Sequence, residues 1–493
     1  MNEIMEGLIN ILSIGNILLL VVGMCLGLFV GSLPGLSTTM GLALLLPITF
    51  AMDPISGLVM LASLYVGSHY GGSIVAILIR TPGTPSAAAA ILDGYPMTEK
   101  GQASKALGLS LTAAVIGSAM AGIVLLLIAS VLGELALAIG PIQMFAVIVL
   151  GLTIIGSLST GSAIKGVLSG MLGVLFSLIG MDQNTGTSRF TFGTLELFDG
   201  IDFVVGLIGL FAIPQALKLV EKNKDTRTAD KIRGKMLPSW KTIKSIRFTS
   251  LRSGVLGIIL GIIPGAGGET ASWFSYNEAM RFSKEKKKFG TGHPPGLVAP
   301  EVANSAVIGG SLIPTLTLGI PGSTSAAVLL GGLMVHGITP GPTLMTDNAV
   351  IAYALIWAIL LSTILLFVIG FAYTKLSISV TKIPSKVLAP IIVLLCVVGS
   401  YAINNSMFDV MIMFIFGIMG YFMDKMNIPV PPMVIGLILG SMLDLYLYQS
   451  LLIGGDWTIF ITNPVSAILL LIALFTTLQA TPFFGWVTKL MKR

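Results

Sequence analysis

The sequence predicts an all-α membrane protein that crosses the bilayer many times. Of its 493 residues, 54% are hydrophobic and only 10% are charged, whereas a soluble domain carries about 25% charged residues. Uncharged apolar segments recur along the chain, and most approach the roughly 17–25 residues that a spanning helix needs. Such segments are 106–133, 135–164, 166–181, 349–374, 387–408 and 464–488.

The segments can be placed in order along the chain, with two Pro-Gly hairpins among them. After the first hairpin we expect a broken span over about 56–92 and helices near 106–131, 141–160, 163–181 and 203–220. After the second we expect a broken span over about 297–335 and helices near 349–374, 387–404, 407–424, 431–448 and 464–488. The prediction is about 11–12 membrane segments in total.

The distribution of basic residues predicts which loops are cytoplasmic. Residues 218–252 contain eleven Lys and Arg against three acids, and residues 281–288 contain five more bases. Cytoplasmic loops collect such residues, so both stretches are placed inside, and the net charge of +6 is no sign of nucleic-acid binding. Residues 182–202 carry one base against four acids and are placed outside. A count of the predicted crossings puts the N-terminus outside and the C-terminus in the cytoplasm.

Residues 253–280 lie between the two basic stretches, so both their ends are predicted to be cytoplasmic. A Pro-Gly break at GIIPGAGGET interrupts them in the middle. We therefore expect a re-entrant hairpin with PGAGG at its tip, since irregular backbone at membrane depth needs protein or a water-filled cavity around it.

An internal repeat relates the two halves of the chain. Residues 27–35 (GLFVGSLPG) match residues 257–265 (GIILGIIPG), and later blocks match in the same order. Five predicted crossings separate the two hairpins, and an odd number inverts the second copy. The predicted domains are a first membrane repeat (1–220), a basic cytoplasmic linker (221–250), a second, inverted repeat (251–448) and an extra C-terminal transmembrane helix (449–493). Inverted repeats with broken helices are common in secondary transporters.

Each repeat contributes two backbone breaks that are suited to binding an anion. A helix that restarts after a break presents free N–H groups and its positive dipole end, and glycine and hydroxyl side chains allow a carboxylate to approach. The candidate substrate-binding residues are Pro34, Gly35, Ser37, Thr38, Thr39, Arg80, Pro82, Gly83, Thr84, Ser86, Gly265, Ala266, Gly267, Gly268, Thr270, Pro321, Gly322, Ser323, Thr324 and Ser325. The competing interpretation of the accompanying GxxxG spacings is close helix packing.

Ionisable residues within membrane segments are candidates for function. Arg80 would contact a substrate carboxylate or pair with an acid such as Glu269. Glu269, Glu301 and Asn304 are candidates for coupling to a sodium ion or a proton. The alternatives are that Glu269 only stabilises the start of a helix and that Glu301 and Asn304 only cap and orient theirs. No cofactor other than the coupling ion, no catalytic residue and no firm metal site are expected.

At these residues the sequence resembles the large membrane subunit of the tripartite tricarboxylate transporters. The resemblance rests on residues 31–36 (GSLPGL), 44–50 (LLLPITF), 70–74 (YGGSI), 92–96 (LDGYP) and 319–322 (GIPG), with others in order along nearly the whole chain. In that family an uncharged residue, often Asn, usually stands at the position of Arg80, and a second Asn commonly follows Asn304, where this chain has Ser305.

The resemblance implies a function and a set of partners. The large subunit of that family works with a small four-helix membrane subunit and a periplasmic substrate-binding protein, and an ion gradient drives transport. The expectation is uptake of citrate or another tri- or dicarboxylate across a bacterial inner membrane. A stand-alone ion-coupled carrier, a channel and an intramembrane enzyme are the alternatives. The residues favour an enzyme least, because no cluster of a nucleophile with a base is apparent.

Overall fold

Helices form nearly all the regular structure of the protein. The computed structural model describes residues 2–137, 139–158, 162–182, 184–221, 234–380 and 385–479. The α-helices are α1 (Asn2–Ile11), α2 (Ile14–Gly31), α3 (Thr38–Phe50), α4 (Pro54–Ile79), α5 (Ile91–Glu99), α6 (Ala103–Leu137), α7 (Pro141–Leu158), α8 (Ala163–Ser177), α9 (Phe203–Glu221), α10 (Trp240–Ile262), α11 (Gly267–Phe282), α12 (Pro294–Leu318), α13 (Thr324–Val335), α14 (Leu344–Asp347), α15 (Ala349–Val380), α16 (Ser385–Asn404), α17 (Met407–Lys425), α18 (Val430–Gly454), α19 (Ile459–Thr462) and α20 (Pro464–Gln479). Short 3₁₀ helices span Pro85–Ala90, Leu195–Leu197 and Lys286–Lys288, and two strands, β1 (Gly180–Met181) and β2 (Ser188–Arg189), form one hairpin.

The all-α polytopic prediction is confirmed. Among the described residues, ten helices are long and apolar enough to cross a membrane, and five shorter apolar helices accompany them. The predicted helices near 203–220 and 407–424 correspond to α9 and α17 within two residues. The last predicted helix, near 464–488, is described as α20 only as far as Gln479.

Two boundaries differ from those that the sequence predicted. Helix α10 begins at Trp240, inside the predicted 221–250 linker, because Ser239 caps it by accepting a hydrogen bond from the N–H of Thr242. Residues 222–233 of that linker lie outside the described residues. Helix α18 continues to Gly454, beyond the predicted end of the second repeat at 448, and Gly455 in the left-handed conformation ends it.

The chain reverses direction at both Pro-Gly hairpins. Helix α2 runs parallel to α4, since a methyl group at Gly27 would lie 2.4 Å from the carbonyl oxygen of Leu64 and one at Gly31 would lie 2.3 Å from that of Ser68. Helix α3 returns antiparallel to α4, with Thr38 hydrogen-bonded to Ser68 and Thr49 beside Gly57.

The second hairpin repeats this arrangement. Helix α10 runs parallel to α12, with Gly257 against Ala303 and Gly261 against Val307. Helix α11 returns antiparallel to α12, since Ser275 donates a hydrogen bond to the carbonyl oxygen of Ala299. The matching contacts accompany the matching sequences of the two halves. Whether these hairpins re-enter the membrane from one face stays a prediction.

Helices α4 and α12 form the centre of the molecule, and their apolar windows are fully buried. They cross in opposite directions: Tyr65 on α4 contacts Ser311 on α12, whereas Ser73, two turns later, contacts Glu301. Corresponding helices of inverted repeats would run in this way. The inversion across the membrane stays a prediction.

The remaining helices form two groups. One group surrounds α4 and α12 and consists of α1, α2, α5, α6, α10, α11 and α15. The other consists of α7, α8, α9, α16, α17, α18 and α20. The short helices α3 and α13, which follow the first and last breaks, pack against both groups.

An ion pair attaches the loop between α8 and α9, which was predicted to lie outside, to α18. Arg189 lies 2.6 Å from Asp182 in the same loop and 2.9 Å from Asp444 on α18. Hydrogen bonds from the Thr185 hydroxyl and the Asn184 N–H, together with the Arg189 charge, lower the pKa of Asp182 below its usual value. The loop is thus held against the helix bundle.

A buried carboxylate also joins the two halves of the chain. Asp93 on α5 is completely buried, and it accepts hydrogen bonds from the hydroxyl of Tyr276 and from the N–H groups of Gly290, Gly292 and His293, over 2.7–3.1 Å. These four donors all belong to the second half. Asp93 therefore fixes the loop before α12 to the end of the first repeat's broken segment.

We expect Asp93→Asn to destabilise the protein by about 2 kcal/mol or more. The amide nitrogen of the new asparagine cannot accept hydrogen bonds, so part-buried backbone N–H groups lose their partner inside the protein. Thermal unfolding in detergent measures the effect. Asp347→Asn, a matched change at an exposed aspartate, should alter the free energy of unfolding by about 0.5 kcal/mol or less. Equal melting temperatures for the two variants would contradict the role of Asp93.

Gly27→Ala tests the close approach of α2 to α4. The added methyl group would meet the Leu64 backbone, so we expect a loss of about 1–3 kcal/mol. Gly15→Ala in the same helix meets no atom within 4 Å and should be neutral or slightly stabilising, because alanine favours the helix. If both variants melt at the wild-type temperature, the contact does not hold the helices together.

Candidate functional site

Close backbone contacts hold the two breaks of each half together. The N–H of Gly83 donates to the carbonyl oxygen of Gly72 over 3.1 Å, and a methyl group on Gly83 would lie 2.0 Å from the carbonyl oxygen of Gly31. In the second half, the N–H of Gly265 donates to the carbonyl oxygen of Gly322 over 3.1 Å. The glycines are needed because the backbones approach too closely for any side chain.

The breaks of one half also meet those of the other. The hydroxyl of Thr39, after the first break, lies 2.9 Å from that of Thr324 and 3.0 Å from that of Ser325, both after the fourth. A methyl group on Gly268, after the third break, would lie 3.1 Å from Ser86, after the second. All four breaks therefore come together at one place.

Four helices begin at this place. Ser37 and Ser323 cap α3 and α13 by accepting hydrogen bonds from the N–H groups of Met40 and Ala326. Helix α11 and the 3₁₀ helix Pro85–Ala90 begin without a side-chain cap. Their first N–H groups and positive dipole ends face a common region, which is the arrangement that binds anions in proteins.

The helix starts border a cavity of about 910 Å³. Fourteen of the candidate residues line it: Ser37, Thr38, Thr39, Thr84, Ser86, Gly265, Ala266, Gly267, Gly268, Glu269, Thr270, Ser323, Thr324 and Ser325. The other nine lie outside the lining: Pro34, Gly35, Arg80, Pro82, Gly83, Glu301, Asn304, Pro321 and Gly322. Gly83 and Gly322 make the backbone contacts within the two halves that hold the breaks together.

Arg80 lies outside the cavity. It is the exposed residue that ends α4, in the left-handed conformation at φ 57°, and its guanidinium lies 5.7 Å from the centre of the Tyr95 ring. The expected pair with Glu269 is not formed, since neither residue has an ion pair within the described part of the chain. Glu269 itself is exposed on the cavity wall.

Glu301 and Asn304, three residues apart on α12, have different surroundings. Both are almost completely buried. One carboxylate oxygen of Glu301 accepts a hydrogen bond from Ser73 over 2.7 Å and the other accepts one from Ser110 over 2.8 Å. The side-chain oxygen of Asn304 has no hydrogen-bond partner and lies beside Gly268 in the first turn of α11.

The sequence analysis missed part of the cavity wall. Tyr65 and His69 line it from α4, one helical turn apart, and Trp273 and Asn277 continue it along α11. Helices α9, α17 and α18 supply the opposite wall, including Gln215, Lys218, Asp424 and Asn427. Tyr65 and His69, four residues apart in an otherwise uncharged membrane segment, were a signal for the first pair. Nothing in the sequence brings α9 and α17 to the breaks.

The cavity reaches the C-terminal ends of α9 and α17. Phe203, at the start of α9, lies against Gly331 near the end of α13, whereas Lys218, near the end of α9, lines the cavity. Lys218 forms a 2.7 Å ion pair with Asp424 of α17. This is the side on which the 218–252 basic stretch begins, which the charge pattern predicts to be cytoplasmic.

Comparison with known proteins identifies the family. Residues 17–435 match the model of the Tripartite tricarboxylate transporter TctA family. The chain belongs to this family. The predicted resemblance is confirmed, and as a TctA-family protein the chain is a multi-pass membrane protein and a transporter subunit.

Two relatives come from Agrobacterium vitis. An uncharacterized 52.8 kDa protein in the TAR-I ttuC' 3' region is 36% identical over 479 residues, which cover 95% of each chain. An uncharacterized protein in the TAR-II ttuC' 3' region is 36% identical over 225 residues, which cover 45% of this chain and 93% of the relative. No solved structure matches this TctA-family chain.

Proposed function

We propose that the protein imports a small organic carboxylate, a tricarboxylate such as citrate or a dicarboxylate, across the bacterial inner membrane. A sodium or proton gradient drives the uptake, and a periplasmic binding protein delivers the substrate to this chain and its small four-helix membrane partner. The observation that carries the proposal is the meeting of four helix starts at one cavity.

The cavity suits an anion that must be released again. Its donors are backbone N–H groups and hydroxyl groups at the starts of α3, α11, α13 and the 3₁₀ helix, and each helix start favours a negative charge by about 0.3–1 kcal/mol. The one Lys or Arg among the described lining residues is Lys218, which is already paired with Asp424. A carboxylate held mainly by dipoles binds less tightly than one held by an arginine fork.

Acceptor groups at the start of α11 supply a place for the coupling cation. Glu269 is exposed to the cavity, and the unpartnered oxygen of Asn304 lies beside Gly268. Hard cations such as sodium prefer oxygen ligands of this kind. Glu301 is the candidate for a proton. Its carboxyl group is buried outside the cavity lining, where it accepts hydrogen bonds from two hydroxyl groups.

Alternating access would arise from movement between the two helix groups. The cavity lies between them, with the breaks on one side and α9, α17 and α18 on the other. Displacement of the break-bearing group, like an elevator, would move the helix starts from one face of the membrane toward the other while their mutual contacts stay intact.

Counterflow in proteoliposomes distinguishes a carrier from a channel. Vesicles carrying the chain and its membrane partner are loaded with unlabelled citrate or malate and given the labelled compound outside. A carrier accumulates label by exchange, whereas a channel shows flux that depends only on the electrochemical gradient. Gradient-dependent flux without exchange would reject the proposal.

Gly267→Ala should reduce carboxylate exchange by at least about tenfold while the protein stays folded. Gly267 starts α11 at φ 58°, and a methyl group there meets no protein atom within 4 Å, so it would stand where the ligand approaches the backbone. Gly101→Ala is the control. Gly101 has a similar φ of 72° and equally open surroundings, but it lies outside the cavity lining. If both variants exchange equally well, the start of α11 does not contact the ligand.

Glu269→Gln should weaken the dependence of uptake on the coupling cation. Removing the carboxylate charge removes a ligand for sodium, so the sodium concentration for half-maximal uptake should rise about tenfold or more. Glu278→Gln, on the same helix but outside the cavity lining, should leave this concentration unchanged. A Glu269→Gln variant with wild-type sodium dependence would exclude Glu269 from the cation site.

A further inference from the structure

His69 borders the cavity and has no part in the function proposed so far. It lies on α4, the fully buried central helix, and its side chain is among the cavity lining although the residue is only 5% exposed. Histidine is rare inside membrane segments, where polar groups generally face a cavity or a partner.

A single hydrogen bond defines which ring nitrogen carries the proton. Nδ1 of His69 lies 3.1 Å from the backbone carbonyl oxygen of Asn304. A carbonyl oxygen only accepts, so Nδ1 must donate its hydrogen. In a neutral imidazole the other nitrogen, Nε2, is then an acceptor. Nε2 has no hydrogen-bond partner within the part of the chain that the structure describes.

The ring lies between two of the helix starts. On one side it packs edge-to-face against Tyr65, with 5.2 Å between ring centres, and the Tyr65 hydroxyl lies 3.1 Å from Ser323, the cap of α13. On the other side it is hydrogen-bonded to the backbone of Asn304, whose side chain lies beside Gly268 at the start of α11. A carboxylate bound at either helix start therefore has His69 as a neighbour.

The cavity therefore has donors at its helix starts and an acceptor at His69. The helix starts present N–H and O–H donors, from which a carboxylate oxygen can accept hydrogen bonds. Nε2 of His69 is an acceptor, which repels a carboxylate oxygen but binds an O–H group. A ligand that satisfies both has a carboxylate and a hydroxyl group close together.

We propose that His69 recognises a hydroxyl group of the transported carboxylate, so that the cavity selects hydroxycarboxylates over the same acids without the hydroxyl. This proposal rests on the proposed function and names the substrate class and a residue that selects it. A buried acceptor left without its donor is costly, so the wild type should prefer the hydroxyl-bearing compound at least about fivefold.

Matched pairs of competitors test this proposal in the counterflow assay. Citrate is compared with propane-1,2,3-tricarboxylate, and malate with succinate, as inhibitors of labelled exchange. His69→Phe keeps a ring but removes the acceptor, and the preference within each pair should fall toward one. His336→Phe, at a histidine outside the cavity lining, should retain the wild-type preference. A His69→Phe variant with the wild-type preference would overturn the proposal.

A second comparison needs no variant and covers the case in which His69→Phe does not fold. In 2-methoxysuccinate the hydroxyl hydrogen of malate is replaced by a methyl group, so the compound can accept but not donate. It should compete no better than succinate with the wild-type protein. If 2-methoxysuccinate competes as well as malate, or if the wild type prefers neither member of a pair, His69 does not recognise a hydroxyl donor. If no carboxylate exchanges at all, the proposed function fails instead.

Discussion

Backbone groups exposed inside an apolar environment must find hydrogen-bond partners, and the rest of this structure depends on how its four breaks meet that requirement. In the second half the two breaks bond to each other, Gly265 to Gly322, and in the first half Gly83 of the second break bonds to Gly72 of α4. Because this leaves N–H groups in the first turns of the following helices without backbone partners, the same device that makes the breaks tolerable also suits them to binding an anion. The two pairs then meet through Thr39 and Ser325, which brings four helix starts to one cavity.

Because the two halves have matching hairpins, the residues that differ between them are informative. Where the first half has Thr39, hydrogen-bonded to the hydroxyl groups of the fourth break, the corresponding residue of the second half is Glu269, which is exposed in the cavity. Acceptors likewise gather on one side, where Asn304 holds an unpartnered oxygen. The matching parts of the two halves thus form the scaffold of the cavity, and the few differences between them supply the chemical distinction on which the proposed anion and cation subsites rest.

Local chemistry in the sequence was enough to locate most of the cavity, whereas the packing of distant helices was not. Pro-Gly breaks followed by hydroxyl residues are local signals, and most residues selected on that basis line the cavity. The position of Arg80 could not be predicted, because a charge beside a break looks the same in the sequence whether it lines the cavity or, as here, is exposed at a helix end outside the lining. Lys218 and Asp424 were missed because tertiary packing alone brings α9 and α17 to the breaks. Glu301 and Asn304 share a helix and lie nearly one turn apart, yet their different surroundings follow from neighbouring helices.

The opening of the cavity toward the ends of α9 and α17 has an electrical consequence. Water filling the cavity would carry the potential of that side as far as the helix starts, which would leave a thinner insulating layer beyond them. The membrane voltage then falls mainly across this thinner layer, and a unit charge that crosses it gains or loses most of the roughly 2.3 kcal/mol available per 100 mV. In the proposed uptake of a substrate with several negative charges, the number of cations carried with it would decide whether the resting voltage of the cell opposes uptake or drives it.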